Sequence, residues 1–308
     1  MRNSFANAFY DLAKNDPRIY LVAADIGAAA GVLTFIQEHP KRFINVGVAE
    51  QVMIGFAAGL AMRGKRPFAY TIAPFTIYRP FEQVRVDLCY QNLPVKLVGV
   101  GGGVNYSMLG STHHSQEDIA VMGALPNMTI VAPCDPLEAG LMTKSIMDIP
   151  GPVYFRLGKV GEPVLSDKAP EPFVLGKIRK LKEGEKTAIL TYGPITRKAF
   201  EIANALESRE SGGVAIYNVH SIKPIDQEGL KRIFSLHQKV IIIEEHAPHG
   251  GLNSIVKTWA YDHDVRIPVK SFTLKDEFIH TYGTHDDLLA AHGLSTSHIL
   301  ENLYSFYP

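Results

Sequence analysis

The sequence has little cysteine. Cys89 and Cys134 are the only two in 308 residues, and neither stands in a Cys-x-x-Cys pair or another metal-spaced cluster. That excludes a disulfide-stapled scaffold and a zinc module, and two free thiols are expected in a reducing cytoplasm. A surplus of charge of one sign is also missing, since 31 basic and 31 acidic side chains leave a formal net charge of zero. Affinity drawn from a basic face is thereby excluded, and neither nucleic acid nor a membrane surface is expected as a partner. Apolar runs stay short of the roughly 18 residues that suggest a membrane span. The N-terminal Met1-Arg2-Asn3-Ser4-Phe5 leads into an amphipathic pattern carrying Asn7, Asp11 and Lys14, not into the unbroken apolar run of a signal peptide. Internal repeats and low-complexity tracts are absent.

What is present is a globular composition, 46% hydrophobic and 20% charged, on a chain long enough for two cores. Short β-rich runs alternate with helical patterns, which predicts an α/β fold with mainly parallel sheets. Strands are expected at Ile19–Ala23, Arg42–Val46, Arg66–Tyr70, Val95–Val100, Thr129–Ala132 and Val153–Arg156. Helices are expected at Ser4–Lys14, Gln51–Met62, Pro80–Cys89, Glu117–Met122 and Leu137–Met147. The run Leu157–Phe173, punctuated by glycine and proline, reads as a linker region. A second series follows: strands Thr187–Leu190, Gly213–Val219 and Val240–Glu244, with helices Ile195–Glu207, Asp226–Phe234 and Leu252–Ala260. The expected division is a first domain over 1–165, a linker over 166–176 and a second domain over 177–308. In buried parallel sheets, ligands sit beyond the carboxyl ends of the strands. That rule gathers Asp25, the Glu50 region, Thr71–Phe81, Gly99–Ser115 and Arg156.

Four stretches carry candidate chemistry. Asn45-Val46-Gly47-Val48-Ala49-Glu50-Gln51 puts a carboxylate in the first turn of an Ala/Gly-rich helix, where it either complements the helix dipole or serves proton chemistry. Phe75, Tyr78 and Phe81, spaced i, i+3, i+6, share one face of a helix-like turn, as an aromatic shelf or as ordinary core. Gly99-Val100-Gly101-Gly102-Gly103-Val104 matches neither GxGxxG nor a P-loop, so it predicts a close backbone approach or a flexible active-site loop. In Gly110–Ala120, Ser115 and Asp118 read as a capping box. The tandem His113 and His114 have no third ligand at a suitable spacing, which argues against a metal site and for hydrogen bonding or proton transfer.

In combination these stretches are specific. Val-Gly-Val-Ala-Glu-Gln at 46–51, Gly-Phe-Ala-Ala-Gly-Leu-Ala at 55–61, Gly-Ser-Thr-His-His at 110–114 and Leu-Pro-Asn-Met at 125–128 resemble the thiamine-diphosphate-dependent transketolase family. Ser-Ile-Lys-Pro-Ile-Asp at 221–226 and Glu-Glu-His-Ala-Pro-His-Gly-Gly-Leu at 244–252 resemble that family's C-terminal domain. The resemblance implies a pyrimidine-binding domain followed by a C-terminal domain. It implies that Glu50 hydrogen-bonds N1′ of the aminopyrimidine, favouring the tautomer that removes the thiazolium C2 proton. It implies that Phe75, Tyr78 and Phe81 stack on the pyrimidine, that His113, with His114 beside it, handles substrate oxygens, and that Asp25 and Arg156 meet substrate. The family's Gly-Asp-Gly, which marks the diphosphate and Mg²⁺ site, occurs nowhere in the chain. The expectation is therefore the second subunit of a split transketolase, inactive alone. It would share thiamine diphosphate and Mg²⁺ with an N-terminal-type partner in an α₂β₂ heterotetramer.

Departures from the family pattern bear on substrate. Leu109 replaces the aspartate that precedes Gly-x-Thr-His, a phosphate-contacting histidine falls near Gly101, and a serine falls near Ala29. With Arg156 as the one contact kept, a modified or nucleotide-linked sugar is expected. Competing expectations are the β subunit of a 2-oxo-acid dehydrogenase's decarboxylating component, a 1-deoxyxylulose-5-phosphate synthase, and a non-catalytic relic dimerising through Gly55–Ala61. His246 and His249 are open between structural and functional roles.

Overall fold

The computed structural model describes residues 1–207 and 212–306. The last expected residues of the second domain, Tyr307 and Pro308, lie outside the described residues. Among the described residues the strands are β1 (Ile19–Ala23), β2 (Phe43–Asn45), β3 (Arg66–Ile72), β4 (Lys96–Val100), β5 (Thr129–Val131), β6 (Val153–Leu157), β7 (Arg179–Lys182), β8 (Thr187–Thr191), β9 (Val214–Asn218), β10 (Ser221–Lys223), β11 (Lys239–Ile243) and β12 (Val269–Phe272). They form a seven-stranded sheet in the order β10-β5-β6-β4-β3-β1-β2 and a five-stranded sheet in the order β12-β11-β8-β9-β7. Within each sheet the strands pair in parallel, except that β10 runs antiparallel to β5 and β7 antiparallel to β9. The two-domain α/β architecture expected from the alternation is the observed one. No helix among the described residues is long and apolar enough to cross a membrane.

Local chemistry explains the elements. The helix Arg2–Asn15 buries Phe5, Ala6, Phe9 and Ala13 on one face, the spacing of an amphipathic helix. Phe9 meets Phe68 of β3 at 5.1 Å between ring centroids, and Phe5 stacks on Tyr70 at 5.7 Å. Asp135 caps the helix Pro136–Ser145 by accepting from the Glu138 amide at 2.8 Å, with Pro136 in the first turn. β4 and β6 are buried along their whole length, as strands covered on both faces must be.

Two expectations need correcting. The helix expected over Pro80–Cys89 is a short turn, Phe81–Gln83, continuing as a π-helical stretch over Val84–Tyr90. A separate helix, Ala73–Ile77, precedes it. The Ser115–Asp118 pair is no capping box: the helix Asp118–Gly123 follows Glu117 with no side-chain cap. Ser115 Oγ instead accepts from the Gly103 amide at 3.1 Å and donates to Asp118 at 3.3 Å. The two domains also pack on each other. β10, a second-domain segment, hydrogen-bonds the β5 edge of the first-domain sheet, and one apolar cluster runs from Met122, Ile130 and Tyr154 to Tyr192, Tyr217 and Ile222.

Candidate active site

The carboxyl ends of β1, β2 and β3 open on one loop region. Asn45 Oδ1 accepts from the Gly47 amide at 3.0 Å and the Asp25 amide at 3.2 Å, tying the β1 and β2 exits together. Asp25 itself is exposed, with a left-handed φ of 41°. Beyond Gly47 the helix Glu50–Met62 begins on the candidate carboxylate. Its inward face is small and apolar, with Met53, Ile54, Ala57, Ala58 and Ala61 buried. The Glu50 side chain is 4% exposed and its Oε2 accepts from Arg79 Nη1 at 3.0 Å, while Arg79 is 51% exposed. Arg79 lies within the stretch that drew attention to the aromatics, yet nothing in its spacing from Glu50 announces the pairing.

The aromatic shelf is not one face. The helix breaks at Tyr78–Pro80, so the three rings go to different partners. Phe75 meets the His113 imidazole edge-on at 5.2 Å. Tyr78 donates to Glu117 Oε2 at 2.6 Å. Phe81 packs on the apolar cluster beneath the sheet. Of the three, Phe75 is the ring beside a candidate histidine.

The two histidines are in different surroundings. His113 is partly exposed, its Nδ1 is 3.0 Å from Thr112 Oγ1, and the Tyr106 ring lies 6.4 Å away. His114 is 4% exposed and neither ring nitrogen has a hydrogen-bond partner of normal geometry. Burial lowers its pKa, with the neighbouring His113 and His285 charges acting in the same direction. His113 is therefore the more accessible of the two histidines, and His114 is enclosed in the wall.

Arg156 is the candidate that the structure moves. It is 2% exposed. Its Nε donates to Asp118 Oδ2 at 2.7 Å, its Nη2 donates to the Glu245 carbonyl at 2.9 Å, and the guanidinium lies over the Tyr192 ring at 5.5 Å. Tyr154 also donates to Asp118 Oδ2, at 2.9 Å. Against the expectation that Arg156 binds substrate stands this geometry, in which its Nε and Nη2 are engaged inside the domain interface. The glycine-rich loop has the same purpose. A Cβ on Gly102 would stand 2.6 Å from Arg156 Nε, and one on Gly103, at φ +68°, 2.5 Å from Glu245 Oε1. Of the two readings of that loop, close backbone approach is the one the geometry supports.

Glu245 comes from the second domain. It accepts from the Val104 amide at 2.7 Å and from His285 Nε2 at 2.9 Å. Burial works against the charge of each group in this pair. Their mutual attraction outweighs it, so Glu245 is held below its ordinary pKa and His285 above. His246 is buried and accepts from the Ala120 amide at 3.3 Å, a structural contact between the domains; His249 is exposed. Lys159, partly exposed, holds its Nζ 5.0 Å from the centroid of the Tyr106 ring. Sequence reasoning passed over it because it stands in the Gly/Pro-punctuated linker run. Among the described residues no group of three or more His, Cys, Asp or Glu is arranged to hold a metal ion.

Comparison with known proteins gives the arrangement a family. Residues 1–160 match the transketolase pyrimidine binding domain, and residues 176–299 match the transketolase C-terminal domain. The chain is 36% identical over 306 residues to a subunit of the apulose-4-phosphate transketolase of Phocaeicola vulgatus, across 99% of this chain and 96% of that one. It is 34% identical over 300 residues to the 6-deoxy-6-sulfo-D-fructose transketolase subunit of a Clostridium species, across 97% and 92%. A solved split-gene transketolase, described as an inactive β4 tetramer, superposes with a TM-score of 0.86 at 34% identity, across 99% and 96%. These relatives are transketolase subunits of the same length, which favours transketolase over a dehydrogenase β subunit, a single-chain synthase or a relic. With both family domains in order and its counterparts matched end to end, the chain belongs to the transketolase family, as the subunit of a split transketolase that carries the pyrimidine-binding and C-terminal domains.

Proposed function

We propose that this subunit supplies Glu50 to thiamine diphosphate bound between it and a partner, for ketol transfer between unusual sugars. The observation that carries the reading is the Glu50 carboxyl. It is nearly buried at the mouth of the sheet, with Oε2 paired to Arg79 and Oε1 without a protein donor among the described residues. That free oxygen is open to a hydrogen bond from a ligand, and a protonated aminopyrimidine nitrogen is a donor that suits it. The residues present therefore fit the pyrimidine end of the cofactor.

When bound, the cofactor supplies the electron sink for breaking and remaking the carbon–carbon bond beside a ketose carbonyl. Glu50 holds the proton at its free oxygen against the pyrimidine ring. Phe75 and Tyr78 border that ring, while Phe81 stays packed on the apolar cluster. His113, steadied by the Phe75 edge and the Thr112 hydroxyl, hydrogen-bonds substrate oxygens, while His114 behind it keeps the pocket wall dry. Asp25 meets a substrate hydroxyl from the β1 exit, and Lys159 attracts the anionic end of a sugar. The diphosphate and Mg²⁺ fall to the partner, since the chain lacks Gly-Asp-Gly. The helix Glu50–Met62 turns Val52, Phe56 and Met62 outward beside the unobstructed Gly55 and Gly59, an apolar face suited to a second subunit. An α₂β₂ assembly closes through that face, symmetric as most oligomers are, in a cytoplasm that keeps the buried Cys89 and Cys134 reduced. Calorimetric titration of thiamine diphosphate with Mg²⁺ tests the division. Tight binding is expected only for the subunit co-expressed with its partner; tight binding by the isolated chain would sink it.

The substrate departs from ordinary pentulose phosphates. Leu109, where the family carries aspartate, is 48% exposed beside Met108 at 66%, so the site has an apolar edge where a hydroxyl would be bound. With Arg156 buried, none of the four family contacts remains in its usual form. Sites that pair a substrate's polar groups discriminate by orders of magnitude, so their loss shifts the substrate. Turnover with xylulose 5-phosphate and ribose 5-phosphate is expected to be poor; rates at the level of ordinary transketolases would overturn the unusual-sugar reading.

A further inference from the structure

Glu50 has a single donor. Among the described residues only Arg79 hydrogen-bonds its carboxylate, through one nitrogen, to one oxygen, at 3.0 Å. The pair is asymmetric in burial, 4% exposed for the carboxylate and 51% for the guanidinium. A buried carboxylate can turn about its terminal torsion between two equivalent orientations unless something distinguishes its oxygens. Arg79 is what distinguishes them here.

The backbone around Arg79 is held for that purpose. Tyr78 closes the helix Ala73–Ile77, its amide donating to the Pro74 carbonyl at 3.0 Å, and its hydroxyl is anchored on Glu117. Pro80, buried, opens the next turn and its carbonyl accepts from the Val84 amide at 2.9 Å. Arg79 is thus presented from a break pinned on both sides, and a continuous helix through these residues would carry it to a different face. The break that scatters the aromatic shelf is the one that delivers the arginine.

We propose that Arg79 is a positioning residue for Glu50: it fixes Oε2 and leaves Oε1 aimed at the incoming aminopyrimidine. The inference rests on the proposed cofactor role of Glu50. Arg79 is half exposed, so its removal lets water reach the Glu50 carboxylate in place of the guanidinium, which keeps the cost to stability small while loosening the carboxylate.

The test uses the assembled pair, with thiamine diphosphate at saturating Mg²⁺ as the probe. R79A is expected to weaken cofactor binding by about ten-fold, the scale of one charge-assisted hydrogen bond, to lower kcat, and to leave KM for sugars and the melting temperature nearly unchanged. R79K, which keeps a donor of the same charge, restores most of the affinity. Arg85→Ala, an exposed neighbour outside the site, serves as the control and retains wild-type binding. Unchanged or tighter binding by R79A, with normal binding by the unaltered pair, overturns the inference alone. Failure of the unaltered pair to bind thiamine diphosphate overturns the cofactor reading and this inference with it.

Discussion

Glu50→Gln is expected to lower kcat of the assembled pair by about 100- to 10,000-fold, the range for loss of a positioned acid–base group. Glutamine keeps the shape of the side chain and offers Arg79 an amide oxygen to bond. It cannot exchange a proton with the pyrimidine nitrogen. The helix Glu50–Met62 is anchored by Met53, Ile54, Ala57, Ala58 and Ala61, none of which the substitution touches, so its fold should survive. Steady-state rates alongside circular-dichroism melts separate the two effects. A kcat within a few-fold of the unaltered pair, with the same melting curve, would remove Glu50 from the chemistry and revive the relic.

Arg156→Ala is expected to act on stability instead. Burial opposes the guanidinium charge, but Asp118 together with the surrounding Tyr192, Tyr154 and Glu245 more than offsets it. Removing the guanidinium leaves Asp118, fully buried, with the Tyr154 and Ser115 hydroxyls and the Ile119 amide but no cation. Breaking one side of a buried ion pair costs about 3–5 kcal/mol, chiefly because the other charge stays behind uncompensated. The Glu245 carbonyl loses its donor as well. Differential scanning calorimetry of the isolated subunit should show a fall of several degrees or more in melting temperature. A normal melting curve combined with a raised KM for a phosphorylated sugar would return Arg156 to the substrate side.

The contrast between these two residues shows what a linear sequence discloses. Glu50 was legible because its signal is local: a strand exit, a glycine and a helix start lie within a few residues. The central strands were legible for a similar reason, since β4 and β6 are buried on both faces and, Lys96 and Arg156 apart, read as apolar runs without alternation. The pairing of Arg156 was hidden because its partner Asp118 stands 38 residues away and its other contact belongs to the second domain. Ser115 and Asp118 had the spacing of a capping box, but tertiary partners claimed both side chains. The Phe75, Tyr78 and Phe81 periodicity presupposed a continuous helix, and the break at Tyr78–Pro80 cancelled it. β10 was invisible because it has three residues and its strand character comes wholly from the edge it joins.

That last strand settles how the chain can be divided. By sequence the linker over 166–176 looks like the natural place to cut. The hydrogen bonds do not respect it, because residues 221–223 complete a sheet whose other strands lie before residue 158. A fragment ending at the linker would expose the β5 edge and the apolar patch beneath it, which is the condition for aggregation. The mutual templating of the two halves is therefore the indispensable part of the junction. A split enzyme built from such subunits can distribute its active site over separate polypeptides, but this particular seam is closed to further fission.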